Sequence, residues 1–151
     1  MSEYLTTFSC TIDAAPQAKG NSRQFGRTWG GKRISRKSDK AQAFMDYAVA
    51  RIRLAANGQT FNPRSELSLW CDIGYPTRHS DLDESLVMDA LEKAGVIDND
   101  VQIGRKTVSR ARPVGAFVNL EVEDIGPLPW KRKLEGHLEN PLYGRLADGP
   151  E

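Results

Sequence analysis

A chain of 151 residues is long enough for one domain, or one domain with a tail, and too short for two. Its 39% hydrophobic and 27% charged residues can form a core, which argues against wholesale disorder. The formal net charge of +1 excludes a uniformly basic or uniformly acidic protein. Because no apolar run approaches the length of a membrane span and the N-terminus is too polar for a signal peptide, we expect a cytoplasmic protein without membrane contact.

The charged residues are arranged in blocks. Lys19 to Arg53 contains ten basic and two acidic residues, whereas Phe61 to Ile103 contains three basic and nine acidic residues. Such blocks suit a protein that holds a polyanion beside bound cations. They are equally the pattern of two oppositely charged solvated surfaces, and the blocks alone do not decide between these interpretations.

The N-terminal part predicts a strand followed by a basic hairpin. Residues Tyr4 to Ile12 alternate between two faces, as expected for a strand with one buried side. Two short basic runs follow, Arg23 to Trp29 and Lys32 to Ser35. The Gly30-Gly31 pair between them accepts the positive φ values of a tight turn, which predicts a β-hairpin.

Two helices are predicted. Ser38 is an expected N-cap for a helix over Asp39 to Ala56, which Asn57-Gly58 would end. Its expected core positions are Ala41, Phe44, Ala48, Ile52 and Ala55. A second helix is predicted from about Asp81 to Ala94.

Three further strands complete the expected fold. They cover Leu67 to Tyr75, Arg105 to Arg112 and Ala116 to Asp124. The element order predicts an α+β fold: a mixed sheet with two helices packed on it, a basic β-hairpin near the N-terminus and an irregular C-terminal tail. The expected domain covers residues 1–125, and residues 126–151 form a tail or docking arm.

Cysteine and histidine usage argues against several common sites. Cys10 and Cys71 lack CxxC spacing and fall within apolar alternations, so we expect reduced core residues. His79 and His137 lie far apart, which argues against a zinc site. The chain has no GxxxxGK[ST] loop, so no nucleotide cofactor is expected.

The most informative motif is Ser80-Asp81-Leu82-Asp83. One interpretation is a helix cap, with acidic residues complementing the helix dipole. On a helical wheel that places Leu82 at 0°, however, Asp83 falls in the middle of the apolar face. A carboxylate directed towards a sheet must be neutralised by hydrogen bonds, a base or a metal ion.

A second acidic turn, Asp98-Asn99-Asp100, follows the same predicted helix. Several carboxylates without histidine or thiolate suit a hard, oxygen-binding ion such as Mg²⁺ or Mn²⁺. Such ions catalyse phosphodiester hydrolysis. Periodicity alone does not establish whether this turn lies near Asp81.

The acidic motifs together resemble the signature of RusA-type Holliday junction resolvases. The matching stretches are Asp81-Leu82-Asp83, Asp89-Ala90-Leu91, Ala94-Gly95, Asp98-Asn99-Asp100 and Gln102-Ile103. The resemblance spans roughly residues 3–124. It implies a Mg²⁺-dependent endonuclease of bacteria and their phages, for which Mn²⁺ can substitute, acting as a homodimer on four-way DNA junctions in recombination and repair. The implied catalytic and metal-binding residues are Asp81, Asp83 and Asp100, with Asp98 as a further metal ligand.

Two residues depart from the family pattern. Glu84 stands where the family has asparagine, and Val87 stands where the family has a lysine one helical turn after the second aspartate. Full activity would require a base from elsewhere, such as Lys32 or Arg78, to replace that positive charge. The alternative function is therefore a branched-DNA-binding protein with weak or lost catalysis, and a third is a metal-binding structural module without a nucleic-acid role.

The basic hairpin would bind the DNA backbone. Phosphate contacts fix position and carry little base information. The expected DNA-binding residues are Arg23, Arg27, Lys32, Arg33, Arg36 and Arg78. Trp29 at the hairpin tip is expected either to stack on an unpaired base near the junction centre or to be a packed or dimer-contact aromatic residue.

Overall fold

The computed structural model describes residues 3–17, 23–27, 29–78, 80–112 and 115–129. The elements formed by these residues are, in chain order, β1 Thr7–Ile12, β2 Arg23–Arg27, β3 Arg33–Lys37, α1 Asp39–Ala56, β4 Ser65–Gly74, α2 Ser85–Lys93, a 3₁₀ helix Asp100–Gln102, β5 Ile103–Arg110 and β6 Phe117–Pro127.

Four of the strands form one mixed sheet in the order β1-β6-β4-β5. β6 pairs antiparallel with both β1 and β4, whereas β5 pairs parallel with β4. Parallel neighbours need a crossover connection, and α2 lies within the crossover from β4 to β5. Both helices share one hydrophobic core with the sheet. The predicted α+β fold, with two helices packed on a mixed sheet, is therefore confirmed.

The predicted alternation of β4 is present in the structure. Its core-facing side chains are fully or almost fully buried: Leu67, Leu69, Cys71 and Ile73, followed by Tyr75 just after the strand. The intervening residues point to the opposite face of the sheet, where Trp70 is 43% exposed. In β1 the same rule places Phe8 and Ile12 in the core.

Helix α1 begins and ends where its capping residues predict. The Ser38 side chain accepts a hydrogen bond from the backbone N–H of Ala41, and Asn57 adopts a left-handed conformation with φ of 51°. Four of the five expected core positions are buried, but Ala55 is exposed and Ala56 is buried in its place. The prediction for Ala55 is wrong because the apolar stripe advances four residues, from Ile52 to Ala56, at the end of the helix.

The basic hairpin consists of β2 and β3, which pair antiparallel with Arg27 opposite Arg33. Gly31 has φ of +83°, a backbone conformation that glycine adopts without a steric penalty. β3 continues to Lys37, two residues beyond the predicted end at Ser35. These two strands form their own sheet and make no ladder with the four-stranded sheet.

At the C-terminal end of the described chain, β6 continues past its predicted end. It reaches Pro127, which pairs with Ser65 at the start of β4. Leu128 is buried, and its backbone N–H donates to the carbonyl oxygen of Arg64 at 2.8 Å. Residues 130–151, the remainder of the predicted tail, lie outside the described residues.

Neither helix among the described residues has the length and apolarity needed to cross a membrane.

The buried thiol of Cys71 makes stability depend on alkaline pH. Burial first, and then the nearby carboxylates of Glu84 and Asp72, raise the pKa of Cys71 from its ordinary value of 9.0 to about 12. The unfolded chain therefore loses this proton at a lower pH than the folded chain does. The resulting stabilisation is complete below about pH 9 and is lost as the pH rises towards 12.

We therefore expect the free energy of unfolding to fall more steeply above about pH 9 in the wild type than in Cys71→Ala. Urea unfolding at a series of pH values measures the free energy of unfolding of both proteins. Cys71→Ala also lowers stability by an amount that does not depend on pH, because the smaller side chain leaves a cavity. Leu69→Val, at a buried position of the same strand without a titratable group, is the matched control, and its curve should run parallel to that of the wild type. Parallel curves for the wild type and Cys71→Ala would contradict the assignment.

Candidate active site

The segment between β4 and α2 carries two of the predicted catalytic residues, Asp81 and Asp83. α2 begins at Ser85, so the prediction that the helix starts at Asp81 is wrong by four residues. The reason is local: Asp83 Oδ1 accepts a hydrogen bond from the backbone N–H of Ser85 at 2.8 Å and another from the Ser85 hydroxyl. A side chain that bonds the backbone two residues ahead holds a turn in place of a helix. The helical-wheel position expected for Asp83 therefore does not apply.

Asp83 is half-buried against the end of β4. Its backbone N–H donates to the hydroxyl oxygen of Tyr75 at 3.1 Å, and Tyr75 is only 4% exposed. Burial raises the pKa of Tyr75, and the opposing effects of the Asp83 N–H and of Arg110 are smaller. The Tyr75 hydroxyl is therefore protonated at neutral pH and holds the aspartate segment against the sheet. Asp81, two residues earlier, is exposed.

Two cations on β5 contact the same segment at its two ends. Lys106 Nζ lies 2.8 Å from Glu84 Oε1, and the side chains are 43% and 19% exposed respectively. Arg110 Nη2 donates to the carbonyl oxygen of Ser80 at 2.6 Å, and its guanidinium carbon lies 5.1 Å from the centre of the Tyr75 ring. Residues 80–84, which we call the aspartate segment, are thus fixed to β5 through one lysine and one arginine.

The second acidic turn is held by a buried glutamine. Gln102 is 2% exposed, and its side-chain amide nitrogen donates to the carbonyl oxygens of Asn62 and Ser65. Its side-chain oxygen accepts from the backbone N–H groups of Asp98 and Asn99. Together with the Asn99 side chain, which accepts from the N–H of Val101, Gln102 forms a capping box that starts the 3₁₀ helix. Asp98 is exposed, and Asp100 is half-buried.

The two acidic segments contact different parts of β5. Asp100 lies three residues before Ile103, where β5 begins, whereas the aspartate segment contacts Lys106 and Arg110. A strand advances about 10 Å over three residues and about 23 Å over seven. Among residues 3–17, 23–27, 29–78, 80–112 and 115–129, no group of three or more His, Cys, Asp or Glu side chains could hold a metal ion.

Val87 stands at the position where the resemblance implies a lysine, and Lys106 is a cation that the structure places nearby. Val87 is completely buried on the core-facing side of α2. The structure puts Lys106 beside Glu84, and the other candidate bases, Lys32 and Arg78, are exposed. Periodicity does not show which strand pairs with the edge of β4, and therefore Lys106 and Arg110 could not be predicted as residues of this site. Alternation along a strand would have placed both on one face once that pairing was known.

The remaining predicted DNA-binding residues lie on or near the hairpin and in the connection after β4. Lys32, Arg33, Arg36 and Arg78 are exposed, and Trp29 at the hairpin turn is fully exposed. Arg36 lies 3.9 Å from Asp39, a solvent-exposed contact of small energetic value. The side chains of Arg23 and Arg27 lie outside the part of the chain that the structure describes. Trp29 does not pack against other described residues of the chain, so base stacking and a dimer contact are the two remaining interpretations.

Gln102 offers a test of how the second acidic turn is positioned. We expect Gln102→Ala to lower the free energy of unfolding by about 1–3 kcal/mol, because buried N–H and carbonyl groups lose their partner. Gln59→Ala, at an exposed position, is the matched control and should change stability by less than about 0.5 kcal/mol. Urea unfolding measures both, and equal effects of the two substitutions would contradict the role given to Gln102.

No protein-family model matches the chain, and no match was found among curated proteins.

Proposed function

We propose that this protein is a Mg²⁺-dependent endonuclease that resolves four-way DNA junctions by paired phosphodiester hydrolysis. The observation that carries the proposal is the aspartate segment, residues 80–84, which is accessible, non-helical and bracketed by the cations of β5. The resemblance to RusA-type resolvases supports the proposal. The exposed basic residues Lys32, Arg33 and Arg36 of the hairpin supply a second surface suited to DNA.

The residues present fit the ion. Mg²⁺ prefers oxygen ligands and is usually held by one or two carboxylates, with water and substrate phosphate completing its shell. Asp81 is exposed, and Asp83 is half-buried with its Oδ1 hydrogen-bonded to Ser85. The proposal assigns the ion to these two residues and keeps Asp98 and Asp100 as further candidate ligands, as the resemblance implies.

The chain's own groups would position the DNA for cleavage. When bound, Mg²⁺ lowers the pKa of a water molecule and stabilises negative charge on phosphate oxygens. The Ser85 hydrogen bonds orient the Asp83 carboxylate, and the Tyr75 hydroxyl fixes its backbone. Lys32, Arg33 and Arg36 on the hairpin would bind the DNA backbone. Because a four-way junction has near two-fold symmetry and is cut twice, a homodimer with two equivalent sites is the expected assembly.

A specific observation favours a second candidate, a branched-DNA-binding protein with weak or lost catalysis. Val87 occupies the core, so α2 itself presents no cation to the aspartate segment. In addition, Asp100 lies before the start of β5, away from the part of that strand that contacts Glu84. Substituting lysine for Val87 would not test this candidate, because the new ammonium group would be buried in the core.

We expect Asp83→Asn to reduce the rate of Mg²⁺-dependent nicking of a synthetic four-way junction by at least about 100-fold, because a metal ligand is lost. Junction binding should be retained. Asp13→Asn, at an exposed position just after β1, is the matched control and should nick at the wild-type rate. Denaturing gels of end-labelled junctions measure the paired nicks.

Each outcome of this experiment has a distinct meaning. If the wild type binds the junction but makes no paired nicks, the branched-DNA-binding function replaces the endonuclease. If Asp83→Asn nicks as fast as the wild type, the aspartate segment is not the active site. If the wild type binds no DNA at low salt, both candidates are wrong.

Trp29 gives an independent prediction about the hairpin. Stacking of one base on an aromatic side chain is worth about 1–3 kcal/mol, so Trp29→Ala should weaken junction binding about 5- to 150-fold. Leu54→Ala, an exposed apolar position near the C-terminal end of α1, is the control and should leave affinity unchanged. Fluorescence anisotropy measures the affinity, and sedimentation measures the oligomeric state. Loss of the dimer in Trp29→Ala would assign Trp29 to the dimer contact and not to base stacking.

A further inference from the structure

The two faces of the sheet differ in charge around β5. Lys106 and Arg110 are paired with Leu69 and Ile73 of β4 and project towards the helix side of the sheet. Arg105 is paired with Ser68 and projects to the opposite side. That opposite side carries acidic residues of the neighbouring strands, including Glu66 and Glu121.

Both helix-side cations are fixed by the protein yet remain in contact with solvent. Lys106 is held by Glu84 and has 43% of its side chain exposed. Arg110 is held by the carbonyl oxygen of Ser80 and the Tyr75 ring, and it is also exposed. A lysine has three hydrogen-bond donors and an arginine five, so these contacts use only part of their donor capacity.

The positions of the two cations match an extended polyanion. They are four residues apart on one strand, which places their Cα atoms about 13 Å from each other. A nucleic acid strand rises about 3.4 Å per nucleotide, so the two side chains would reach different phosphates. Positive charge here also offsets the repulsion between Asp81, Asp83 and an approaching DNA backbone.

We propose that Lys106 and Arg110 form a phosphate-binding track along β5, which guides one strand of the DNA past the aspartate segment. This inference rests on the proposed function in its choice of ligand. It assigns two DNA-contacting residues outside the hairpin, and it gives the edge strand a role in substrate binding.

The test is the salt dependence of junction binding. Each phosphate contact contributes about 0.9 to the slope of log K against log salt concentration. We expect the double variant Lys106→Gln, Arg110→Gln to reduce the magnitude of this slope by about 2. Anisotropy with a labelled four-way junction in EDTA, between about 50 and 200 mM NaCl, measures binding without cleavage.

Two matched variants make the test specific. Arg105→Gln removes the same charge from the same strand but from the opposite face, and its slope should equal that of the wild type. The double variant Lys106→Arg, Arg110→Lys keeps both charges and should retain the wild-type slope. Circular dichroism and thermal unfolding identify a variant that fails to fold. If the double glutamine variant fails to fold, the salt slopes of the single glutamine variants are compared with that of the Arg/Lys exchange.

The outcomes separate this inference from the proposed function. An unchanged slope in the double glutamine variant, or an equal decrease in Arg105→Gln, overturns the phosphate track even if the wild type nicks junctions. A selective decrease of about 2 in a protein that binds but does not nick supports the track and overturns the endonuclease. A wild type that binds no DNA overturns both.

Discussion

Parallel pairing of β4 with β5 is the constraint on which the candidate site depends. Parallel neighbours cannot be joined by a tight turn, so the chain must leave the end of β4, cross over the sheet and return. Every acidic residue implicated in metal binding lies in that crossover, on the segment before α2 or in the turn after it. Because β5 is an edge strand of the sheet, the crossover also runs beside a strand whose charged side chains stay accessible.

The aspartate segment shows how a short-range hydrogen bond can change a site. Because Ser85 donates hydrogen bonds to the Asp83 carboxylate, α2 begins only at Ser85. Four residues that were predicted to be helical instead form an irregular segment beside β5, where Ser80 contacts Arg110 and Glu84 contacts Lys106. The two ends are fixed by charged groups and the middle by Tyr75, and Asp81 remains exposed between these anchors.

Capping residues and hydrophobic alternation predicted most helices and strands, because both depend on residues that are close in sequence. The features that were missed depend on local hydrogen-bond competition or on the pairing of strands that are distant in sequence. Ser38 and Asn57 defined α1 because capping depends on a few adjacent residues. The alternation from Leu67 to Tyr75 defined β4 because one face is buried. The start of α2 was missed because Asp83 and Ser85 compete locally with the helix. The cations of β5 were missed because strand order depends on contacts far apart in sequence, and the predicted assignment of the aspartates to metal binding stays a prediction.

The burial of Val87 has a consequence for how this protein can be altered. A side chain there has no access to water, and an uncompensated ammonium group costs several kcal/mol in such surroundings. Position 87 is thereby closed to positive charge, whether the charge arises by natural mutation or by engineering. A variant with a stronger positive potential around the aspartates can instead carry its charge on the adjoining edge strand, where Lys106 and Arg110 are already exposed.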